Sequence, residues 1–292
     1  MEITGLRHRQ SLLQIHVAAV LFGLAGLFGK WIALSPFLIV LGRVFFASLT
    51  LGILIRVTRQ SLRTILRRQA PLLVLLGAIL AGHWAAFFYS IQVSSVAVGL
   101  LSCYSFPAFT VLLEPLLSRE RLDKRNLFLA AFCLVGVFLI IPRLDPGDRV
   151  FQGVLWGLAS GLTFAVLTVC NRRLAQSHSS LGIAFLEDFF AALFLLPSLI
   201  MIPARLSSAD LALLVVLGVV CTAAAHTLFI QGMRQVRAQA ASIISSLEPV
   251  YGIVLALVFL GEVPTVRTIA GGAIILTAVL FVTLREGTRR PA

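Results

Sequence analysis

This sequence is short of charge. Of its 292 residues only 12% are Asp, Glu, Lys or Arg, where a soluble protein carries about a quarter. A chain so poor in charge cannot cover a water-facing exterior, and the solvent it suits is a bilayer. Acids are the scarcer sign, 12 Asp and Glu against 24 Lys and Arg, for a net charge of +12. So basic a balance would fit nucleic acid if the cations formed one stripe. They fall instead in short clusters between apolar runs, as cytoplasmic loops of a membrane protein do, and no nucleic-acid partner is expected. Cysteine is also sparse. Cys103, Cys133, Cys170 and Cys221 lie inside apolar runs with no CxxC spacing and no histidine cluster, which excludes a zinc knot and leaves small buried hydrophobes. Neither HExxH nor GxxxxGK[ST] occurs. The stretch G-L-A-S-G (157–161) has Ala159 where a nucleophile elbow needs serine. No metal, cofactor or catalytic residue is implied, and an intramembrane enzyme is a remote alternative. No repeated filter or ring of charge suggests a channel.

What the sequence does have is hydrophobicity, 59% of residues, with a mean hydropathy of +1.00. A span needs about 20 mostly apolar residues. Candidates fall at 12–34, 36–56, 70–92, 94–117, 126–142, 151–171, 181–202, 209–233, 238–260 and 265–285. The first is too long for a signal-peptide core and has no A-x-A site, so it is expected to stay as a span. Ten spans put both termini on one side. The loops on that side carry 18 Lys and Arg, those on the other side 5, and Arg43, inside span two, is the remaining one of the 24. The bias places both termini in the cytoplasm and the chain in the plasma (inner) membrane.

The second half repeats the first. V-S-S-V-A-V-G-L-L-S-C-Y-S-F-P-A-F (93–109) lies over Q-V-R-A-Q-A-A-S-I-I-S-S-L-E-P-V-Y (235–251), offset by 142. Pro107 falls on Pro249, and Glu120 on Glu262. Upstream, V-L-F-G-L-A (20–25) matches V-L-W-G-L-A (154–159), and F-F-A (45–47) matches F-F-A (189–191), which sets Arg43 over Glu187. Residues 1–145 and 146–292 then form two copies of five spans. Five is odd, so the second copy enters from the opposite side. Inverted repeats of this kind build alternating-access carriers with a midplane substrate site. The fold class expected is an all-α membrane protein of ten helices, two inverted five-helix repeats around a central cavity.

The motif A-S-I-I-S-S-L-E-P-V-Y-G-I-V-L-A-L-V-F-L-G-E (241–262) and its weaker copy V-G-L-L-S-C-Y-S-F-P-A-F-T-V-L-L-E-P-L-L-S-R-E (98–120) resemble the drug/metabolite transporter superfamily, in its ten-helix EamA form. The resemblance spans nearly the whole chain. It implies two helix bundles about a cavity and transport of small organic molecules, often outward; exporters of aromatic and other amino acids are among such proteins. The first copy departs from the second by having Phe106 where the second has Glu248.

Candidate site residues follow from polar groups at mid-depth. Arg43 costs about 2.5–3.5 kcal/mol at a span centre on insertion scales, so it is expected to face inward with a partner. Two readings stand: a clamp for a substrate carboxylate, or, as favoured, an ion pair with Glu187, Asp188 or Glu248. His83 and Phe87 share one face of span three, Trp84 and Phe88 the neighbouring one; they could line a cavity for an amphipathic solute or simply pack. Tyr104 with Ser102 and Ser105 precedes Pro107, and Ser242, Ser245 and Ser246 precede Pro249 and Tyr251. Each proline frees a carbonyl one turn back, which in a membrane points to a hydrated centre or to a packing kink. The expected substrate-binding set is Arg43, His83, Trp84, Phe87, Tyr104, Glu248 and Tyr251, with helix breaks at Pro107 and Pro249. His16 and His226 read as satisfied interior or interfacial histidines. Lys30, Trp31 and Trp156 read as interfacial anchors, and Gly23, Gly26 and Gly29 as a close-packing stripe. Partners expected are a small-molecule substrate, the lipid bilayer and protons acting at Glu248 or His83, with the chain a monomer or homodimer. A neutral or aromatic amino acid is the first choice of substrate, and a cationic drug or other amphipathic metabolite, with Glu248 as counter-charge, the alternative.

Overall fold

The computed structural model describes residues 2–118, 124–141, 143, 145–236, 238–245 and 247–286, and every regular element among them is a helix. In chain order these are α1 (Glu2–Trp31), α2 (Pro36–Val57), α3 (Arg63–Val93), α4 (Val96–Cys103), α5 (Phe106–Ser118), α6 (Lys124–Ile140) and α7 (Arg149–Ala175). Then come α8 (Ser180–Leu195), α9 (Ser198–Met201), α10 (Ser208–Gly218), a π-helical segment (Val219–Ala224) and α11 (Ala225–Gly232). The last are α12 (Ala238–Ser245), α13 (Glu248–Leu260) and α14 (Val266–Glu286).

Local chemistry fixes where these helices start. Ser35 accepts the Leu38 N–H and Pro36 opens α2, Asp148 accepts from Val150 and Phe151 at the head of α7, and Ser207 with Asp210 forms a reciprocal capping box on α10. Each such cap satisfies a donor that the first turn leaves over. Gly261 ends α13 in the left-handed region at φ 66°, where a side chain would be strained.

Among the described residues, seven helical runs are long and apolar enough to cross a bilayer: 8–31, 36–57, 63–93, 96–113, 149–175, 180–201 and 208–232. Other helices are shorter over the described residues. The α6 helix has 17 residues, about 26 Å at 1.5 Å per residue, and α12 and α13 are 8 and 13 residues either side of a break. Several runs expected as single spans are therefore interrupted. The 94–117 stretch divides at Tyr104–Ser105, 181–202 bends at Leu196–Pro197, and 209–233 passes through the π segment. The first span ends at Trp31, short of residue 34.

The exterior is greasy in the manner of a lipid-facing surface. Phe45, Leu49 and Ile53 run up one face of α2, and Val254, Leu257 and Val258 lie along α13, all well exposed. Polarity is inside: Arg43, His83, Glu187, Asp188, His226 and Glu248 are all buried. That inversion is the arrangement a bilayer requires.

Close approach of helix backbones brings these groups together. Gly153, Gly157 and Gly161 stripe α7 at four-residue spacing. A Cβ at Gly157 would lie 2.4 Å from the Ser102 Cβ, and one at Gly161 would lie 2.6 Å from the Cys103 carbonyl oxygen. Thus α7 seats directly on the end of α4, where the chain breaks. The α2 helix packs on α8 and α10, α3 on α7 and α8, and α1 on α11 and α13.

Candidate functional site

The centre of the protein is a small cavity of about 30 Å³ to which α1, α2, α3, the α4 break, α7, α11 and α13 all contribute. Its polar lining is Arg43, His83, Tyr104, His226 and Glu248; Trp84, Phe87, Phe164 and Phe22 supply apolar walls. One water needs about 10–15 Å³ of such volume, so in this conformation the space is of water size, well below that of an amino acid.

Arg43 reaches this centre from α2, where the helix meets the 208–232 run in backbone contact. A Cβ on Gly218 would meet the Phe46 Cβ at 2.6 Å and the Arg43 carbonyl oxygen at 2.7 Å. Just beyond Gly218 the chain widens into the π segment, a form common at functional sites. The segment offers two acceptors to the guanidinium: Nε donates to Thr222 Oγ1 at 3.0 Å and Nη2 to the Cys221 carbonyl at 3.4 Å. Thr222 Oγ1 donates in turn to the Leu217 carbonyl at 2.8 Å. The guanidinium carbon sits 3.7 Å above the Trp84 ring centroid and 5.4 Å from that of Phe88, a cation–π arrangement strengthened by burial. The favoured expectation of an ion pair is corrected here. Among the described residues no carboxylate lies within 4.0 Å of Arg43, because its partners are neutral acceptors and rings. Neither hydrogen bond uses Nη1.

The other expected residues divide. His83 Nδ1 lies 2.9 Å from both the carbonyl oxygen and Oγ of Ser160 on α7, and its ring stacks on Phe164 at 4.9 Å. Trp84 lies edge-on to His226 at 5.9 Å. Tyr104, at the α4–α5 break, donates its hydroxyl hydrogen bond to Glu248 Oε2 at the head of α13, so the two broken helices are joined at their breaks. Phe87 lines the cavity. Tyr251 does not; its Cβ packs against Gly23 of α1. Pro107 and Pro249 each stand second in the half-helix that follows a break, a place where a missing N–H costs little. Ser105 Oγ donates to the Ser102 carbonyl at 2.7 Å, while the Ser102 and Ser245 hydroxyls find no partner among the described residues. Ser246, Glu120 and the Ser242 side chain lie outside the described residues. Lys30 is not a lone anchor: its Nζ donates to the Ser94 carbonyl at 3.0 Å and stands 3.9 Å from Glu262. Glu262 in turn accepts the Val96 N–H at 2.9 Å.

Sequence reasoning missed one group. Glu187 and Asp188 on α8 flank His226 on α11: Nε2 is 3.3 Å from Glu187 Oε2 and Nδ1 is 3.9 Å from Asp188 Oδ1. Asn171 on α7 donates to the same Glu187 oxygen at 3.1 Å. The adjacent acid pair E-D in an apolar run was the available signal, yet it was read only as a source of partners for Arg43.

An all-helical, apolar-surfaced chain with a buried polar cavity at the meeting of broken helices defines a multi-pass membrane transporter. The chain belongs to the EamA-like transporter family, whose model matches it twice, over residues 10–141 and 151–284. It is 32% identical over 68% of its length to an uncharacterized transporter of Archaeoglobus fulgidus, covering 70% of that protein. It is 25% identical to an S-adenosylmethionine uptake transporter of Rickettsia prowazekii, over 87% of this chain and 84% of that one. It is also 25% identical to the pseudopaline exporter CntI of Pseudomonas aeruginosa, over 81% and 84%. Relatives thus include proteins named for uptake and for export.

Proposed function

We propose that this chain is a plasma-membrane carrier of small metabolites bearing a carboxylate, with neutral or aromatic amino acids as the preferred class, which it passes outward by alternating access. The observation that carries the substrate class is Arg43. It is buried at the cavity with a ring beneath it, neutral acceptors on Nε and Nη2, and no acid within ion-pair distance among the described residues. A buried cation with no acid in direct contact is costly, and a carboxylate entering the cavity supplies that contact, with bidentate geometry available to a guanidinium. The walls of Trp84, Phe87 and Phe164 suit an apolar or aromatic side chain on the same solute.

Ten spans as two inverted halves, 1–145 and 146–292, with both termini cytoplasmic, form the proposed architecture. It is supported by the charge bias of the loops and by the register of the breaks. Shifted by 142, α4 (Val96–Cys103) falls on α12 (Ala238–Ser245), and α5 (Phe106–Ser118) on α13 (Glu248–Leu260), end for end. The cavity lies between these paired breaks, where a carrier built of inverted repeats has its site. With a cavity of about 30 Å³, the helices must separate to admit solute. A cationic solute finds less support, since Glu248 already accepts from Tyr104.

Counterflow of a radiolabelled panel in proteoliposomes tests this reading. Neutral and aromatic amino acids are expected to exchange, and lipophilic cations to fail. Exchange of cations that depends on Glu248, with amino acids inert, replaces this reading with the cationic one.

A further inference from the structure

The buried group beside the cavity has more acceptors than donors. Asn171, Glu187, Asp188 and His226 are each no more than 3% exposed. Within it, both oxygens of Asp188, Oε1 of Glu187, Oδ1 of Asn171 and Nδ1 of His226 make no hydrogen bond among the described residues. Leaving a buried carboxylate charged and without donors is among the costliest arrangements in a protein interior, and intramembrane acids of this kind mark ion or proton paths. His226 belongs both to this cluster and to the cavity wall, and the Trp84 indole bridges from its imidazole edge to the Arg43 guanidinium.

We propose that Asn171, Glu187, Asp188 and His226 form an exchangeable proton site, and that its occupancy is linked to carboxylate binding at Arg43. The proton is shared among the Asp188 and Glu187 carboxylates and the imidazole between them. A sodium ion fits less well. The α8 carbonyls next to these acids are engaged within an unbroken helix, the π-segment carbonyl of Cys221 accepts from Arg43, and an imidazole stands between the two acids. Among the described residues, the titratable and charged groups facing the cluster include Glu248 and Tyr104, which share the cavity with His226. Cys170 comes from α7 near Glu187, Arg43 from α2 near Asp188, and His83 from α3 across Trp84; α1 presents the Phe22 ring to Phe229 of α11. Of these, Arg43 supplies the linkage. A charged Asp188 competes with a solute carboxylate for its field, and protonating the cluster removes that competition. Lower pH on the loading side therefore tightens binding of an anionic carboxylate, and by reciprocity the solute retains the proton.

The proton site and the carrier reading are tested separately, since only the linkage rests on the latter. Infrared spectroscopy of the full-length protein in liposomes, recorded across pH without solute, reads the protonated-carboxyl band directly. A band that titrates is expected in the wild type, altered or lost in Asp188→Asn and in Glu187→Gln, and kept in Glu248→Gln. Size-exclusion profiles identify any variant that fails to fold, and the other acid variant then decides. A titrating band untouched by both acid variants, or one that responds to sodium at fixed pH, overturns the site. For the linkage, acidifying the loading side is expected to raise amino-acid counterflow about fivefold or more, an effect lost in Asp188→Asn protein whose size-exclusion profile matches the wild type. Counterflow indifferent to pH in the wild type overturns the linkage. Absence of all counterflow counts against the carrier reading instead, and the infrared result still judges the site.

Discussion

Tyr104 and Glu248 meet inside the membrane although 144 positions separate them. Both are buried, so the hydroxyl supplies a donor that a greasy surrounding cannot replace. Tyr104→Phe leaves the ring's packing and removes that donor. It is expected to destabilise by about 1–3 kcal/mol, the cost of an unsatisfied buried acceptor, read as a lowered melting temperature in detergent. An unchanged melting temperature means that this bond does not hold the breaks together. Much of the residue-level site was legible because polar groups in apolar runs announce themselves: Arg43, His83, Tyr104 and Glu248 all stand at the cavity. What was not legible is who pairs with whom. Arg43 was expected to meet an acid. It meets the carbonyl and hydroxyl of Cys221 and Thr222 instead, and the acids Glu187 and Asp188 turn to His226. Pairing depends on helix rotation in three dimensions, which one-dimensional spacing does not fix.

Among the elements, α7 is the one whose small residues set the geometry, since its glycines let the α4 end come within backbone distance. Gly157→Leu drives a branched side chain into Ser102, where even a Cβ would lie at 2.4 Å. It is expected to abolish monodisperse protein in size-exclusion chromatography. Gly82→Ala on α3 is the control, for a Cβ there meets nothing within 4 Å, and alanine favours helix over glycine; its melting temperature should hold or rise. A folded Gly157→Leu protein with wild-type stability would show that α7 and α4 need not touch. The breaks were legible from Pro107 and Pro249, though each proline turns out to open the following half-helix rather than kink one long helix. The π segment was not. V-V-C-T-A-A carries no proline or glycine to mark it, and its wider turn answers to Arg43 arriving from α2.

For the whole molecule, the proposed ten-span topology makes a sided statement. With the native cysteines replaced, Gly147→Cys, exposed between α6 and α7, is expected to react with a membrane-impermeant maleimide in intact cells. Ser61→Cys, exposed between α2 and α3, should react only after permeabilisation. The reverse pattern inverts the orientation, and equal reactivity denies the topology. Hydropathy found the apolar segments because a bilayer imposes composition over whole spans. It passed over the interruptions within them, at Tyr104–Ser105, at Leu196–Pro197 and in the π segment.

The most direct measurement of the carboxylate reading compares an amino acid with its carboxamide, a near-isostere that lacks the charge, in counterflow through wild-type and Arg43→Ala protein of equal folded yield. The wild type is expected to exchange the acid and largely reject the amide, and Arg43→Ala to lose the acid by tenfold or more, about 1.4 kcal/mol of binding. Undiminished exchange of the acid through Arg43→Ala would contradict the assignment of Arg43 as the carboxylate site.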